Sequence, residues 1–487
     1  MRRRRTIYFN DARHYYLFVF EPPMRLEEAW RPVDEVAGTA VDTFIYGVAR
    51  GDGLFYPSKV GLRFGTDQRP FGAEQPFDGA PWWRVWENMQ SLMDRGLDPL
   101  RVLIDRAHQK GMDFLPSLRM GDYPGLDQGY RVPAGRGYVH PEVRDHQFAV
   151  LEELATRYPV EGVELDFAAA PNGSSFCLKS EDVSEYTSVV TELVRKVAEM
   201  VRQRPGGPGL VGARVYPTEE LNAKVGLDVR TWLKEELVDF VVPLVYAQFI
   251  LDANQPIGWL VEAARECDVS VYAMLQPYRY REGQDCSYAT PAMMRAAAAN
   301  FWELDVDGLY TWFMRWPLGD TERSTLTDLG DPERVKEEDK HYFLRRYSKS
   351  TAEHDCDTFL PLEIPTADPA KRYRVPFTIA DDTGNDRVTR VRLKLGIHNL
   401  VSADRLEILL NGESLVAQSC QRTFIGPLGP YSGQWLEFDL EEVRPHKGDN
   451  LLEITLKERP ANFAGGVRVE DVEIIVEYSA YPAGLNV

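Results

Sequence analysis

The sequence predicts an α/β fold, a (β/α)8 TIM barrel followed by a C-terminal antiparallel β-sandwich of jelly-roll type. In the first two-thirds, eight short strand-like runs alternate with helical stretches, which is the pattern of βα units around a parallel sheet. After about Arg345 the helical period disappears, and short alternating segments separated by turn residues follow. At 487 residues, the chain is also too long for one core of ordinary size.

The predicted barrel strands are short and rich in apolar and β-branched residues. They are Thr6–Asn10, Thr43–Val48, Asp113–Arg119, Gly162–Phe167, Val211–Tyr216, Phe240–Tyr246, Val269–Leu275 and Gly308–Phe313. The clearest helices between them are Pro99–Lys110, which ends at Gly111, Pro141 to about Arg157, which has proline in its first turn, and Asp182–Arg204, which is followed by a Pro-Gly-Gly-Pro run.

The sandwich is predicted from alternating apolar and polar residues. Its strands are Arg390–Gly396, Arg405–Leu410, Trp435–Leu440, Leu451–Leu456 and Val467–Tyr478. Asn411 and Gly412 after the second of these favour a two-residue hairpin. We therefore expect a catalytic barrel domain over residues 1–347, a linker over 348–369 and an accessory sandwich domain over 370–487.

Charge and composition limit the partners. The formal net charge of −19 argues against nucleic acid, whose binders gather Lys and Arg on one face. The sequence contains no run of about 18 apolar residues that could cross a bilayer, so no membrane partner is expected. The five cysteines are widely spaced without a CxxC pair, and Asn10 and Asp11 interrupt any signal-like segment, so we expect reduced thiols and a cytoplasmic location. The sequence does not decide whether a leader was removed from a longer precursor, and it does not give the oligomeric state.

The stretch from Val160 to Phe167 carries two carboxylates on one face of a predicted strand. Successive side chains of a strand point to opposite sides, so Gly162, Glu164 and Asp166 share one face and apolar residues share the other. In a barrel covered by helices, the acidic face points inward, where an ionised group is costly unless it is paired or functional. Asp166 stands at the strand end, where barrel enzymes carry their active sites.

Several stretches resemble a known group of proteins. The run VEGVELDF is followed by LVGARVYP, LDVRTWLKEELVDFVVP and VDGLYTWF, and YPSKVG (56–61) and PSLRMGD (116–122) precede it. Over roughly residues 6 to 320, the chain resembles TIM-barrel proteins described as family 10 glycosylhydrolase-like. The C-terminal part is similar, more loosely, to the sandwich domains that accompany such barrels. The resemblance implies a barrel and a carbohydrate substrate, without assigning an acid or a nucleophile.

Glycoside cleavage usually needs two carboxyl groups. Asp166 is the first candidate, against the simpler interpretation that it caps a loop or holds an arginine. Glu164 lies about 6 to 7 Å deeper along the strand and is equally well explained as a structural ion-pair member. Asp122, after the third strand, and Glu219 or Glu220, after the fifth, are the other candidates.

The fifth strand supplies a partner, because Arg214 shares a face with Tyr216 and can meet both carboxylates. An arginine beside Asp166 suits this residue to the role of nucleophile or charge stabiliser, whereas desolvation raises the pKa of Glu164 toward the range of an acid. The reverse assignment stays open. The ends of the sixth and seventh strands carry no acid.

Sugar rings need flat apolar faces and fixed polar groups, and such residues stand at the predicted strand ends. The substrate-binding candidates are Asn10, Tyr46, Arg119, Arg214, Tyr216, Tyr246, Gln248, Gln276, Trp312 and Arg315. Aromatic residues are more often core than sugar platforms, so only their clustering at strand ends is informative. The arginines also admit an anionic sugar by bidentate pairing.

Other chemistries find no support in the sequence. The eight histidines form no HExxH motif, and His140 and His146 flank a predicted helix start, so no metal is expected. The sequence contains no GxSxG elbow or phosphate-binding loop, and we expect no cofactor. The leading hypothesis is a metal-independent glycosidase that degrades an oligo- or polysaccharide. The alternatives are a non-catalytic carbohydrate-binding protein on the same barrel and, less favoured, an interaction protein.

Overall fold

Eight parallel strands close into a barrel, in which each strand pairs with its neighbours in the sequence and β1 pairs with β8. The computed structural model describes residues 4–11, 16–50, 53–67, 69–72, 79–132, 134–168, 177–245, 249–282, 285–346, 356–426 and 433–481. The strands are β1 (Arg5–Asp11), β2 (Thr43–Gly47), β3 (Asp113–Arg119), β4 (Gly162–Asp166), β5 (Leu210–Val215), β6 (Phe240–Pro243), β7 (Ser270–Leu275) and β8 (Gly308–Trp312). The predicted barrel is confirmed.

Helices surround the barrel, and the last two of those described follow β8 in the chain. They are α1 (Tyr16–Val19), α2 (Leu26–Asp34), α3 (Ala80–Met93), α4 (Pro99–Gln109), α5 (Pro141–Arg157), α6 (Val183–Gln203), α7 (Glu219–Lys224), α8 (Val229–Lys234), α9 (Gly258–Arg265), α10 (Pro291–Glu303), α11 (Asp320–Leu329) and α12 (Pro332–Lys336). The residues at the start of α4 explain why the helix begins there. The Asp98 side chain accepts a hydrogen bond from the Leu100 amide at 3.0 Å, and proline fills the first helical position. Gly111 follows the helix with a φ of 76°.

Alternate residues of the strands fill the barrel interior. The apolar ones include Ile7, Ile45, Leu115, Val242 and Met274. At the N-terminal end of the barrel, Arg5 Nη1 donates to Thr43 Oγ1 and to Asp113 Oδ2, each at 2.6 Å, which ties β1, β2 and β3 together. The interior is therefore a packed core, with ionised groups held in pairs.

Gly212 on β5 leaves room for the Phe240 ring inside the barrel. A Cβ at this position would lie 2.0 Å from Phe240 Cζ. We expect Gly212→Ala to destabilise the protein by about 1–3 kcal/mol through overpacking. Gly258→Ala is the control, because a Cβ there meets nothing within 4 Å. Urea denaturation measures both, and equal midpoints for the two variants would contradict the expectation.

The C-terminal region forms two antiparallel sheets. Its strands are β9 (Lys340–Phe343), β10 (Leu362–Ile364), β11 (Tyr373–Ile379), β12 (Val388–His398), β13 (Arg405–Leu410), β14 (Glu413–Ser414), β15 (Ser419–Phe424), β16 (Gln434–Asp439), β17 (Gly448–Glu458) and β18 (Val467–Tyr478). One sheet has the order β9-β18-β12-β16-β15, with β10 also paired to β18, and the other has the order β11-β17-β13-β14. The predicted antiparallel sandwich is confirmed. Asn411 and Gly412 form the predicted hairpin, with φ angles of 53° and 85°.

One strand of the sandwich sheet precedes the predicted linker, and another lies within it. β9 precedes residue 348 and β10 lies within 348–369, yet both pair with β18. Helix α10 also contacts the sandwich, because Asn300 Nδ2 donates to the carbonyls of Ala253 and Thr378, each at 2.9 Å. The division into barrel, linker and sandwich segments stays a prediction. The first strand of the sandwich sheet begins at Lys340.

The described residues carry no feature of a membrane span, a metal cluster or a disulfide. None of the helices in the described ranges combines the length and apolar character that a bilayer span needs. Within the same residues, no three His, Cys, Asp or Glu side chains gather as a metal site would require. All five cysteines are free thiols.

Candidate active site

Glu164, Asp166 and Arg214 meet inside the barrel, as the strand alternation predicts. Arg214 Nη2 lies 2.9 Å from Glu164 Oε1, and Nη1 lies 3.3 Å from Asp166 Oδ2. Asp166 and Arg214 are register neighbours on β4 and β5. The three side chains are at most 1% exposed. One buried guanidinium therefore holds both carboxylates, and Asp166 is the one at the C-terminal end of its strand.

Tyr310 on β8 completes this cluster, and the sequence analysis missed it. Its hydroxyl accepts a hydrogen bond from Arg214 Nη2 and donates one to Glu164 Oε1 at 3.2 Å. The signal was present in the sequence, because alternation along β8 places Gly308, Tyr310 and Trp312 on one face. A tyrosine on that face, with its hydroxyl buried, usually finds a polar partner.

Aromatic rings cover the guanidinium of Arg214. Its Cζ lies 3.9 Å from the centroid of the Phe9 ring and 5.3 Å from that of Trp312. Such contacts favour a cation electrostatically, and more so where water is excluded. Phe9, Trp312, Phe313 and Phe249 lie in one buried cluster, which we call the aromatic wall.

Burial sets the protonation of this cluster. Burial raises the pKa of Glu164 above its ordinary value, although the charge of Arg214 and the Ser117 hydroxyl oppose the shift. Burial by itself would lower the pKa of Arg214, but the charge of Glu164 and the influence of Tyr310 and Asp166 raise it overall, so the guanidinium stays charged. Burial also raises the pKa of Tyr310, which keeps its phenol neutral and able to donate. Glu164 is therefore the carboxyl group best suited to hold a proton.

A second ion pair joins β1 and β3 across β2. Arg119 Nη2 on β3 is 2.8 Å from Asp11 Oδ2 on β1, and Asp11 is 1% exposed. Gly47 on β2 stands between them without a side chain, and a Cβ there would lie 2.9 Å from Phe9 Cζ. Arg119 is also the register neighbour of Asp166. Asp11 was missed because the predicted strand ended at Asn10, although alternation from Phe9 would have placed Asp11 inward.

Two of the proposed substrate-binding residues lie on the other side of the sheet. Asn10 and Tyr46 are register partners, and they alternate with the inward-facing Phe9 and Ile45. Tyr46 is buried in the main core, with its ring 6.3 Å from that of Phe114. Both residues therefore face the helices rather than the barrel interior.

The remaining binding candidates are dispersed. Gln276 Nε2 donates to the Val245 carbonyl at 2.6 Å, which ties the ends of β7 and β6 together. Tyr216 and Trp312 are buried, whereas Arg315 is exposed. Tyr246 and Gln248 lie outside the described residues.

Three other candidate acids, Asp122, Glu219 and Glu220, lie beyond their strand ends. Glu219 begins α7 and pairs with Arg230, with Nη2 and Oε2 2.7 Å apart and the two side chains 45% and 55% exposed. The hydrogen bond from Arg230 lowers the pKa of Glu219. Glu219 is thus part of a surface ion pair. Asp122 is half-buried past the end of β3, where its amide donates to the Arg119 carbonyl at 3.3 Å.

Comparison with known proteins gives sequence relatives that match part of the chain. The scan against protein-family profiles finds no match. The chain is 24% identical over 216 residues to Glycosyl hydrolase DigH of Escherichia coli (strain K12), covering 32% of this chain and 47% of that protein. The figures for the DigH protein of Shigella flexneri are the same. The chain thus spans about half the length of the curated relatives it matches.

Solved structures resemble the chain only distantly. A bacterial fucosidase solved with an inhibitor has a TM-score of 0.40 and 12% identity, covering 95% of this chain and 94% of that one. An alpha-L-fucosidase GH29 from Bacteroides thetaiotaomicron has a TM-score of 0.37 and 11% identity, with the same two coverages. Across 32% of its length, the chain is similar in sequence to a protein named as a glycosyl hydrolase.

Proposed function

We propose that the protein is a glycoside hydrolase acting on an oligo- or polysaccharide, with Asp166 as its central carboxylate. The observation that carries the proposal is the pairing of two inward carboxylates of β4 with one buried guanidinium, at the end of the barrel where active sites lie. The partial similarity to a protein named as a glycosyl hydrolase supports this choice.

The contacts suggest a role for each group. Arg214 stabilises negative charge on Asp166, which suits a nucleophile or a stabiliser of an oxocarbenium-like transition state. An acid protonates the leaving oxygen as the glycosidic bond breaks, and water then supplies the hydroxyl of the new reducing end. Burial favours the protonated form of Glu164, so this residue is the first candidate for the acid. The reverse assignment has the same two residues and stays open.

Asp11 and Asp122 are the alternative second carboxylates. Asp11 is favoured of the two because its ion-pair partner Arg119 is the register neighbour of Asp166. If Asp11 is the second carboxylate, Asp11→Asn should lower kcat by about 10² and remove one limb of the pH–rate profile. Glu407→Gln, which removes a sandwich carboxylate paired with Lys457 at 2.9 Å, is the control and should leave kcat unchanged. An unaltered pH profile in Asp11→Asn would return the search to Glu164 and Asp122.

A non-catalytic carbohydrate-binding protein is the second candidate function. It is favoured by one observation, namely that Glu164, Asp166 and Asp11 are all buried in ion pairs, as structural carboxylates are. Incubating the purified protein with a panel of neutral and anionic glycans separates the two functions. We expect cleavage of at least one glycan, detected as new reducing ends. Binding to a glycan without any cleavage would support the alternative.

A further inference from the structure

The sandwich contacts the barrel through a buried carboxylate. Glu473 on β18 accepts a hydrogen bond from Arg279, and its Oε2 lies 2.9 Å from His341 Nε2. Burial by itself would raise the pKa of Glu473, but the hydrogen bond from His341 and the charge of Arg279 lower it below the ordinary value. The side chain of Glu473 is 3% exposed. This ionised carboxylate therefore needs the charge of Arg279 and the hydrogen bond to His341.

Arg279 belongs to a two-stranded ribbon that follows β7 directly. The ribbon consists of Tyr278–Glu282 and Asp285–Tyr288. Its first residue holds Phe249 and Leu251, because the Tyr278 amide donates to the Phe249 carbonyl at 3.1 Å and the Leu251 amide donates to the Tyr278 carbonyl at 2.7 Å. The Tyr278 ring also meets the edge of the Phe249 ring, at 6.4 Å between centroids. Arg279, which contacts Glu473, is therefore adjacent in the chain to Tyr278, which bonds to Phe249.

Phe249 has a strained backbone. Its φ is 62°, and that of Phe313 is 48°, in the left-handed region that bulky side chains rarely adopt. The Phe249 ring lies 5.3 Å from the Phe313 ring and 5.0 Å from that of Trp312. Strained residues persist when their surroundings hold them, and the ribbon is part of those surroundings.

The aromatic wall connects Phe249 to the candidate site. The Trp312 ring lies 5.6 Å from that of Phe9, and both rings lie against the guanidinium of Arg214. Arg214 in turn holds Asp166 and Glu164. A continuous set of packed side chains thus runs from Phe249 to the two carboxylates.

We propose that Glu473 is a positioning residue for the barrel site, which it reaches through Arg279, Tyr278 and the aromatic wall. The sandwich then holds residues 249–251 in place, instead of serving only as an accessory domain. Any effect on catalysis rests on the proposed function, whereas the effect on the ribbon does not. A salt bridge that merely joins two domains would affect stability without changing the segment that contains Phe249.

Amide hydrogen exchange tests the contact without a substrate. In Glu473→Gln, we expect the Leu251 and Tyr278 amides to exchange about tenfold faster or more, since their hydrogen bonds open locally, while the amides of β4 and β5 keep their protection. Arg279→Gln should give the same pattern. The matched control is Glu453→Gln, which removes a sandwich carboxylate that is 7% exposed and lies 3.2 Å from Arg374 Nε and 3.6 Å from Arg372 Nη1. Unchanged exchange at Leu251 and Tyr278 in both Glu473→Gln and Arg279→Gln would overturn the proposal.

Kinetics then test the link to the site. On a glycan that the wild type cleaves, Glu473→Gln and Arg279→Gln should lower kcat about tenfold while Glu453→Gln leaves it unchanged, because a misplaced site lowers turnover even when the fold persists. Faster exchange with normal kcat would overturn the positioning role. Absence of cleavage by the wild type would instead count against the proposed function, and the exchange result would still decide whether Glu473 holds the ribbon.

Discussion

Asp166→Asn should lower turnover by about 10² or more while the fold and much of the glycan binding persist. Asparagine keeps the volume of the side chain and one acceptor oxygen, so the hydrogen bond that Asp166 Oδ1 accepts from the Ala168 amide at 3.2 Å can survive. The amide cannot carry the negative charge that Arg214 holds at 3.3 Å, and it cannot form a covalent intermediate or exchange a proton. Steady-state kinetics and isothermal titration with the same glycan measure the two effects.

The companion variant Glu164→Gln separates a catalytic role from a structural one. If Glu164 is the acid, its loss should lower kcat comparably and remove the limb of the pH–rate profile that reports the acid. If it only pairs with Arg214, kcat should stay near normal and the midpoint of unfolding should fall. Near-normal turnover in Asp166→Asn, on a glycan that the wild type cleaves, would remove Asp166 from the mechanism.

The barrel was predictable because its strands carry strong local signals. β3 matches its predicted range residue for residue, since its apolar run is bounded by polar residues at both ends. The same alternation placed Glu164, Asp166 and Arg214 on one interior face. Tyr310 was not predicted as their partner, because it lies 96 positions from Arg214 and meets it only when the barrel closes. Asp11 was missed because the predicted first strand ended one residue too early, at Asn10.

The sandwich was predicted less completely for two physical reasons. All six residues of β15 are exposed, so this edge strand shows no alternation between buried and exposed positions. β9 comes directly after the last barrel helices, where the sequence pattern gives no break. The Arg279–Glu473 contact joins residues 194 positions apart, and no local pattern in the sequence can indicate such a pair.

Arg214→Met should destabilise the protein by about 3–5 kcal/mol, the largest stability effect expected here. The change keeps an unbranched apolar stem but leaves Glu164 and Asp166 buried without their shared cation. Urea denaturation by circular dichroism measures the loss. The control is Arg230→Gln, which breaks the exposed pair with Glu219 and should change stability by about 0–1 kcal/mol.

The pH dependence of that loss follows from the pKa of Glu164. Burial raises this pKa in the folded protein, so protonation favours folding, and the benefit is lost as pH rises from about 4.3, the ordinary value, through the folded value. Without Arg214 the folded pKa should rise further, because the charge that opposed burial is gone. Arg214→Met should therefore lose less stability at pH 5 than at pH 8. Adding Glu164→Gln to Arg214→Met should restore part of the loss at pH 8, because one buried charge is removed with its partner. A loss that is equal at both pH values and additive in the double variant would show that the guanidinium does not hold Glu164.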